Sequence, residues 1–177
     1  MKNFLLLLIS LLVLSCQNNL KEQAGHSTEL ILKNEIVRDT TPKVTGIGGI
    51  FFKSDDPNAL NQWYGEHLGL AIDNYGSAFE FRNAHQPEEI NYLRWSPFND
   101  STTYFLPSEK EFMINYRVQN LEGLIRILKE KNVRILDQIE VYEYGKFAHI
   151  LDSEGNKIEL WEPNDQFFTK LGGPTTK

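Results

Sequence analysis

A chain of 177 residues with 41% apolar, 24% charged and 12% aromatic content can bury a substantial core, most simply as one domain, which excludes a disordered polymer. Its 18 Lys and Arg against 24 Asp and Glu leave a net charge of −6 and no basic footprint for phosphates, so nucleic acid is not an expected partner. The single cysteine, Cys16, excludes an internal disulfide and a CxxC zinc site. With four histidines, His26, His67, His85 and His149, any metal site has to draw mainly on carboxylates.

Met1, Lys2 and Asn3 precede an apolar run over residues 4–14 broken only by Ser10. Its length suits the h-region of a secretory signal and falls short of the roughly 20 residues that a membrane-spanning helix needs. The run leads into Val13-Leu14-Ser15-Cys16, which resembles a bacterial lipobox. Residues 1–15 are therefore expected to be a signal peptide and Cys16 the lipidated residue. Each buried acyl methylene contributes about 0.8 kcal/mol, enough in several chains for a lipid-anchored protein of the cell envelope with no span of its own. Residues 16–42 are polar and irregular and read as a flexible tether, with His26 a solvated linker residue.

Residues 43–163 can be aligned with themselves. Residues 44–53 read as a strand, and residues 57–67 place Leu60, Trp63 and Tyr64 at helical spacing, with Asp55, Asp56 and Pro57 opening the helix and Gly69 closing it. The order recurs as a strand over 112–118 and a helix over 121–131 with Leu121, Leu124, Ile125 and Leu128 on one side. Residues 91–97 and 157–163 match, Trp95 over Trp161 and Pro97 over Pro163. Strands over 77–82 and 90–95 pair across a loop holding His85. Strands over 145–151 and 157–161 flank Asp152-Ser153-Glu154-Gly155-Asn156, a hairpin turn with Gly and Asn available for positive φ. The expectation is an α+β domain of two tandem βαβββ units, about 43–97 and 108–163, whose curved mixed sheets surround a cleft. Residues 164–177 read as a frayed tail, with Phe167 and Phe168 available to dock.

The segments IGGIFFKSDDPNALNQWYGEHLGL, FMINYRVQNLEGLIRILKEKNV and FAHILDSEGNKIELWEP resemble the vicinal oxygen chelate superfamily of glyoxalases, extradiol dioxygenases, fosfomycin-resistance transferases and bleomycin-resistance binding proteins. The resemblance implies a divalent metal held from the first and fourth strands of each unit, at positions matching Gly49, Leu93, Met113 and Glu159. Only Glu159 offers a charged oxygen, so no metal cofactor is expected. A hairpin centred on Glu154 makes His149 and Glu159 cross-strand neighbours, an acid and base pair or two ligands of a metal. The plainer reading, in which Glu159 orients His149 or balances an Arg, is preferred to either.

Strand parity from Gly49 and Met113 turns Phe51, Lys53, Asn115 and Arg117 into the cleft, and parity from Leu93 and Glu159 adds Trp95 and Trp161. Gly49 is expected to leave room for a ligand, and Arg117 to neutralise Glu159. His67 is expected to cap its helix. The glycines at 46, 48 and 49 fall inside a strand and form no phosphate loop, and no serine sits in a nucleophile elbow. The leading expectation is a protein binding a small organic molecule in an aromatic cleft without a metal. The alternatives are a glyoxalase-type lyase or isomerase using Glu159 and His149, and a scaffold whose cleft aromatics have filled. The resemblance also allows a homodimer through the sheet edges.

Overall fold

A computed structural model describes residues 39–84 and 86–177. The expected signal peptide, Cys16, nearly all of the tether, His26 and His85 lie outside these residues. Among the described residues no helix is long and apolar enough to cross a membrane.

The first unit runs β1 (Lys43–Ser54), α1 (Pro57–Leu68), β2 (Ile72–Asp73), β3 (Gly76–Asn83) and β4 (Gln86–Asn99). The second runs β5 (Phe112–Gln119), α2 (Leu121–Glu130), β6 (Arg134–Ile135), β7 (Glu140–Tyr142), β8 (Gly145–Leu151) and β9 (Lys157–Pro163), followed by α3 (Asp165–Leu171). The sheet order is β2-β3-β4-β1-β5-β9-β8-β6, with β7 on β8. Within each unit the first strand lies parallel to the last, β1 beside β4 and β5 beside β9, and the units meet where β1 and β5 pair antiparallel. This is the expected pair of βαβββ units, with β7 an added three-residue strand in the second. The strands of two and three residues, β2, β6 and β7, are too short to leave a periodic signal.

Local chemistry sets the boundaries. Asp56 accepts the N–H groups of Asn58 and Ala59 at 3.1 and 3.0 Å, Pro57 begins α1, and Gly69 ends it at φ 71°, donating to Gly65 O. His67 Nδ1 meets Trp63 O at 2.9 Å in the last turn, the capping role expected of it. Between β8 and β9 the Asp152 carboxylate takes the N–H groups of Glu154 and Asn156 at 2.9 and 2.8 Å. Gly155 alone there adopts positive φ, 77°.

The main core lies under α2, where Leu121 and Ile125 meet Val118, Ala148, Ile150 and Leu160. Leu121 is wholly buried, so Leu121→Ala is expected to lower the unfolding free energy by about 2–5 kcal/mol, read from the midpoint of urea denaturation. The face of α1 is shallower: Leu60 and Tyr64 are half-buried, but Trp63 is 48% exposed and stacks on His67, with ring centres 4.7 Å apart, instead of entering the core.

Residues 164–177, expected as a frayed tail, are instead docked on the domain. After α3 the chain turns back, and Thr176 forms a parallel bridge with Phe79 on β3. Thr176 N–H donates to Ala78 O at 2.8 Å, and its hydroxyl meets Ser77 Oγ at 2.9 Å and accepts Ala71 N–H at 2.8 Å. A fully buried Ser77 thus ties the last residues to the sheet.

Candidate functional site

Register places four residues in one row across the central strands. Gly49 of β1 stands opposite Arg94 of β4 and Asn115 of β5, and Asn115 stands opposite Glu159 of β9. A bulge between Ile47 and Gly49 leaves Gly48 outside the pairing. The hairpin brings His149 directly across from Glu159, as its turn predicts.

Glu159 is 3% exposed, and its carboxylate accepts three hydrogen bonds. Asn115 Nδ2 donates to Oε1 at 2.6 Å, His149 Nε2 lies 3.0 Å from Oε2, and the Tyr104 hydroxyl donates to Oε2. On its far side His149 Nδ1 meets Asp137 Oδ2 at 2.6 Å, while the His149 N–H donates to Asp137 Oδ1 at 2.8 Å. Both ring nitrogens therefore face carboxylate oxygens, which only accept, and the ring satisfies both as an imidazolium. Burial opposes that charge, but the hydrogen bond and negative charge of Glu159 outweigh it and hold the His149 pKa above the usual imidazole value. Burial likewise opposes ionisation of Glu159, and the bonds from His149, Tyr104 and Asn115 outweigh it, holding the carboxyl below its ordinary range. Burial and then the charge of Glu159 push the Tyr104 phenol up, so it stays a donor.

These shifts fix a pH window. The raised His149 stabilises the fold fully below its ordinary 6.5, and that contribution is lost as pH rises through the folded value. The lowered Glu159 contributes above its ordinary 4.5, and that contribution is lost as pH falls through the folded value. The pair is worth most between the two ordinary values. The stability gap between the native chain and His149→Gln, from urea titrations, is expected to be widest near about pH 5.5 and to narrow as pH rises beyond 6.5 through the folded His149 value.

Above Glu159 lies a cavity of about 750 Å³ whose walls include Phe51, Tyr92, Tyr144, Phe147, Trp161 and Phe168, with Asn115 and Glu159 as buried polar groups. Arg94 lines another part of it, ion-paired with Asp73. Tyr92, Arg94 and Asp73 were not among the residues expected here.

Of the expected site residues, Phe51, Asn115, Glu159 and Trp161 line this cavity. His149 stands behind Glu159. Trp95 turns to the other face, its ring 5.3 Å from Phe52 and 4.5 Å from Tyr64 of α1. Lys53 reaches away to Glu111, at 3.4 Å. Arg117 is 4% exposed and does not neutralise Glu159: it pairs with Asp165, donates to Tyr92 O at 2.9 Å and lies 5.2 Å from the centre of the Trp161 ring.

Two of the four expected metal positions shift as well. Arg94, not Leu93, occupies the row, because the match of Trp95 to Trp161 is one residue out of step and one residue reverses a strand's faces. Asn115, not Met113, is the residue beside Glu159, and Met113 is fully buried with Phe51 and Phe105. Nor does Gly49 leave room for a ligand, since a Cβ there would come within 2.6 Å of the Phe51 ring.

The row does not fit a divalent cation. Arg94 brings a fixed positive charge, Gly49 has no side chain, Asn115 turns its amide nitrogen to Glu159, and the one carboxylate already accepts three hydrogen bonds. Among the described residues no group of three or more His, Cys, Asp or Glu side chains is arranged to hold a metal ion.

No family model matches the chain, and no curated protein matches it. Among solved structures it is similar to methylmalonyl-CoA epimerase from Mycobacterium tuberculosis, at 18% identity and a TM-score of 0.49, over 77% of this chain and 97% of that one. It is similar to a glyoxalase/bleomycin resistance protein/dioxygenase superfamily member from Vibrio splendidus, at 13% identity and a TM-score of 0.42, over 69% and 99%. A third is a structure described as NAD-dependent benzaldehyde dehydrogenase from Legionella pneumophila, at 12% identity and a TM-score of 0.44, over 66% and 98%. The chain's own strand order, with its parallel β1–β4 and β5–β9 pairs, defines the architecture: a mixed α+β fold in which each unit sets its first strand beside its last. A fold of this kind leaves the chemistry to the site.

Proposed function

We propose that the domain binds a small organic molecule in its aromatic cavity without a metal, in the manner of the bleomycin-resistance type of binder, and that the protein is held in the cell envelope by lipid on Cys16. The observation that carries the binding reading is the cavity itself. Its roughly 750 Å³ falls in the size range of small-molecule sites, and its aromatic walls converge on an ionised carboxylate fixed by three donors. A cleft filled by its own aromatics, the scaffold reading, does not agree with that volume.

A lyase or isomerase is the second reading, and the carboxylate–imidazole–carboxylate line Asp137–His149–Glu159 favours it. General base catalysis asks Glu159 to take up a proton, yet its three hydrogen bonds lower its proton affinity. The same three bonds suit an anchor that accepts from a ligand.

Thermal-shift screening of the purified soluble domain against thiol conjugates, catechols and glycopeptides tests the reading. A specific ligand is expected to raise Tm by mass action, and Glu159→Gln to weaken its binding at least about tenfold. Failure across all three classes counts against binding. Near-stoichiometric zinc, nickel, manganese or iron in the purified protein, lost in Glu159→Ala, overturns the metal-free reading. Incorporation of labelled palmitate that disappears in Cys16→Ser is the result expected of the anchor.

A further inference from the structure

We propose that residues 172–177 form the gate of the cavity, an arm that swings about Gly172-Gly173 while α3 stays docked, and that small molecules enter and leave by this movement. The inference rests on the cavity and not on what fills it. Gly173, Pro174, Thr175 and Lys177 form part of the wall of a cavity that is already partly open to solvent, so displacing them widens its mouth.

The two parts of the C-terminal segment are held by different means. α3 is clamped through buried groups: Asp165 pairs with Arg117 beneath the floor and accepts Asn91 Nδ2 at 3.1 Å, and Phe168 packs its ring 5.7 Å from Trp161 and 5.4 Å from Tyr92. Moving α3 would strand an ion pair and expose aromatic surface.

The arm buries little. Gly172, Gly173, Pro174 and Lys177 are exposed, and the attachments are hydrogen bonds at its far end. Besides the Thr176 contacts with Ala71, Ser77 and Ala78, Glu80 N–H donates to Thr176 O at 3.4 Å, Thr175 Oγ1 donates to Glu80 Oε1 at 2.7 Å, and Lys177 Nζ lies 3.7 Å from Glu80 Oε2. Water can replace each of these when the arm lifts, so local opening needs no global unfolding.

The hinge lies between the two. Gly172 and Gly173 have φ of 67° and 124°, conformations that other residues rarely adopt. At neither would an added Cβ meet an atom within 4 Å, so backbone freedom and not close packing is what glycine provides here. Thr176 is then the latch and Ser77 its catch.

The test uses the full chain carrying Cys16→Ser, Trp63→Phe and Trp95→Phe, which leaves Trp161 in the cavity as the sole tryptophan. Into it are placed Ser77→Cys and Thr176→Cys, whose native hydroxyls lie 2.9 Å apart, so that oxidation locks the arm. Acrylamide quenching of Trp161 is expected to fall severalfold on oxidation and recover on reduction, and to rise when residues 174–177 are removed. Equal quenching in the oxidised and reduced forms overturns the gate. Should the variants fail to fold, amide hydrogen exchange on the unmodified chain decides. The Thr176 and Glu80 amides are expected to exchange at least tenfold faster than Gly172 N–H, which is bonded to Phe168 O at the end of α3. Equal rates would mean that helix and arm move together, which overturns the assignment of the hinge.

Discussion

Arg117→Met is expected to lower the unfolding free energy by about 3–5 kcal/mol, because it removes one partner of a buried ion pair and leaves the other charged. Asp165 would keep only the Asn91 amide on Oδ2, and its Oδ1 already lacks a hydrogen-bond partner. Tyr92 O would lose its donor, and the Trp161 ring the guanidinium above it. Urea denaturation followed by far-UV circular dichroism measures the loss, with the slope compared to confirm that the unfolded state is unchanged. Adding Asp165→Leu to Arg117→Met is expected to restore most of it, since an apolar pair carries no stranded charge. If the double variant is as unstable as the single one, the ion pair is not what holds α3.

Gly48→Ala is expected to cost about 3 kcal/mol, at the upper end of what overpacking brings. Its Cβ would fall 2.2 Å from Asn115 Oδ1, 2.7 Å from Trp161 and 2.9 Å from Arg117. All three are held: Asn115 by Glu159, Arg117 by Asp165, and Trp161 by its indole N–H on Tyr144 O at 3.2 Å. None can yield without disturbing the carboxylate or the clamp on α3. The variant is therefore expected to lose ligand-induced thermal stabilisation as well as Tm. Gly46→Ala is the control, since its Cβ would come no closer than 3.9 Å to Arg117, and it is expected to change stability by less than about 1 kcal/mol.

The parts of this molecule legible in its sequence are those where local chemistry determines local geometry. Asp56-Pro57 and Gly69 mark both ends of α1. The Asp152 turn fixes the β8–β9 register, and with it the His149–Glu159 pair, because a short hairpin leaves no freedom to slip. No such turn pins β4 to β1, its parallel neighbour. The Trp and Pro match between units looked like register but put Arg94 out of the cleft and Trp95 into it.

Tyr104 and Asp137 come to Glu159 and His149 from segments between strands, at separations of 55 and 12 residues, and no periodicity announces such contacts. The composition of residues 164–177 suggested fraying because composition does not reveal a partner. Asp165 finds the buried Arg117 and Thr176 finds the buried Ser77, and both partners were fixed by strands elsewhere.

Thr176 also bears on how this protein behaves among its own copies. β3 is flanked on its outer side by β2 only at Gly76 and Ser77, and the bridge from Thr176 covers the next stretch, at Phe79. An uncovered strand edge is a template for a strand from another molecule. If the arm opens as proposed, the chain would carry such an edge beside its aromatic cavity, so opening the gate would also favour self-association.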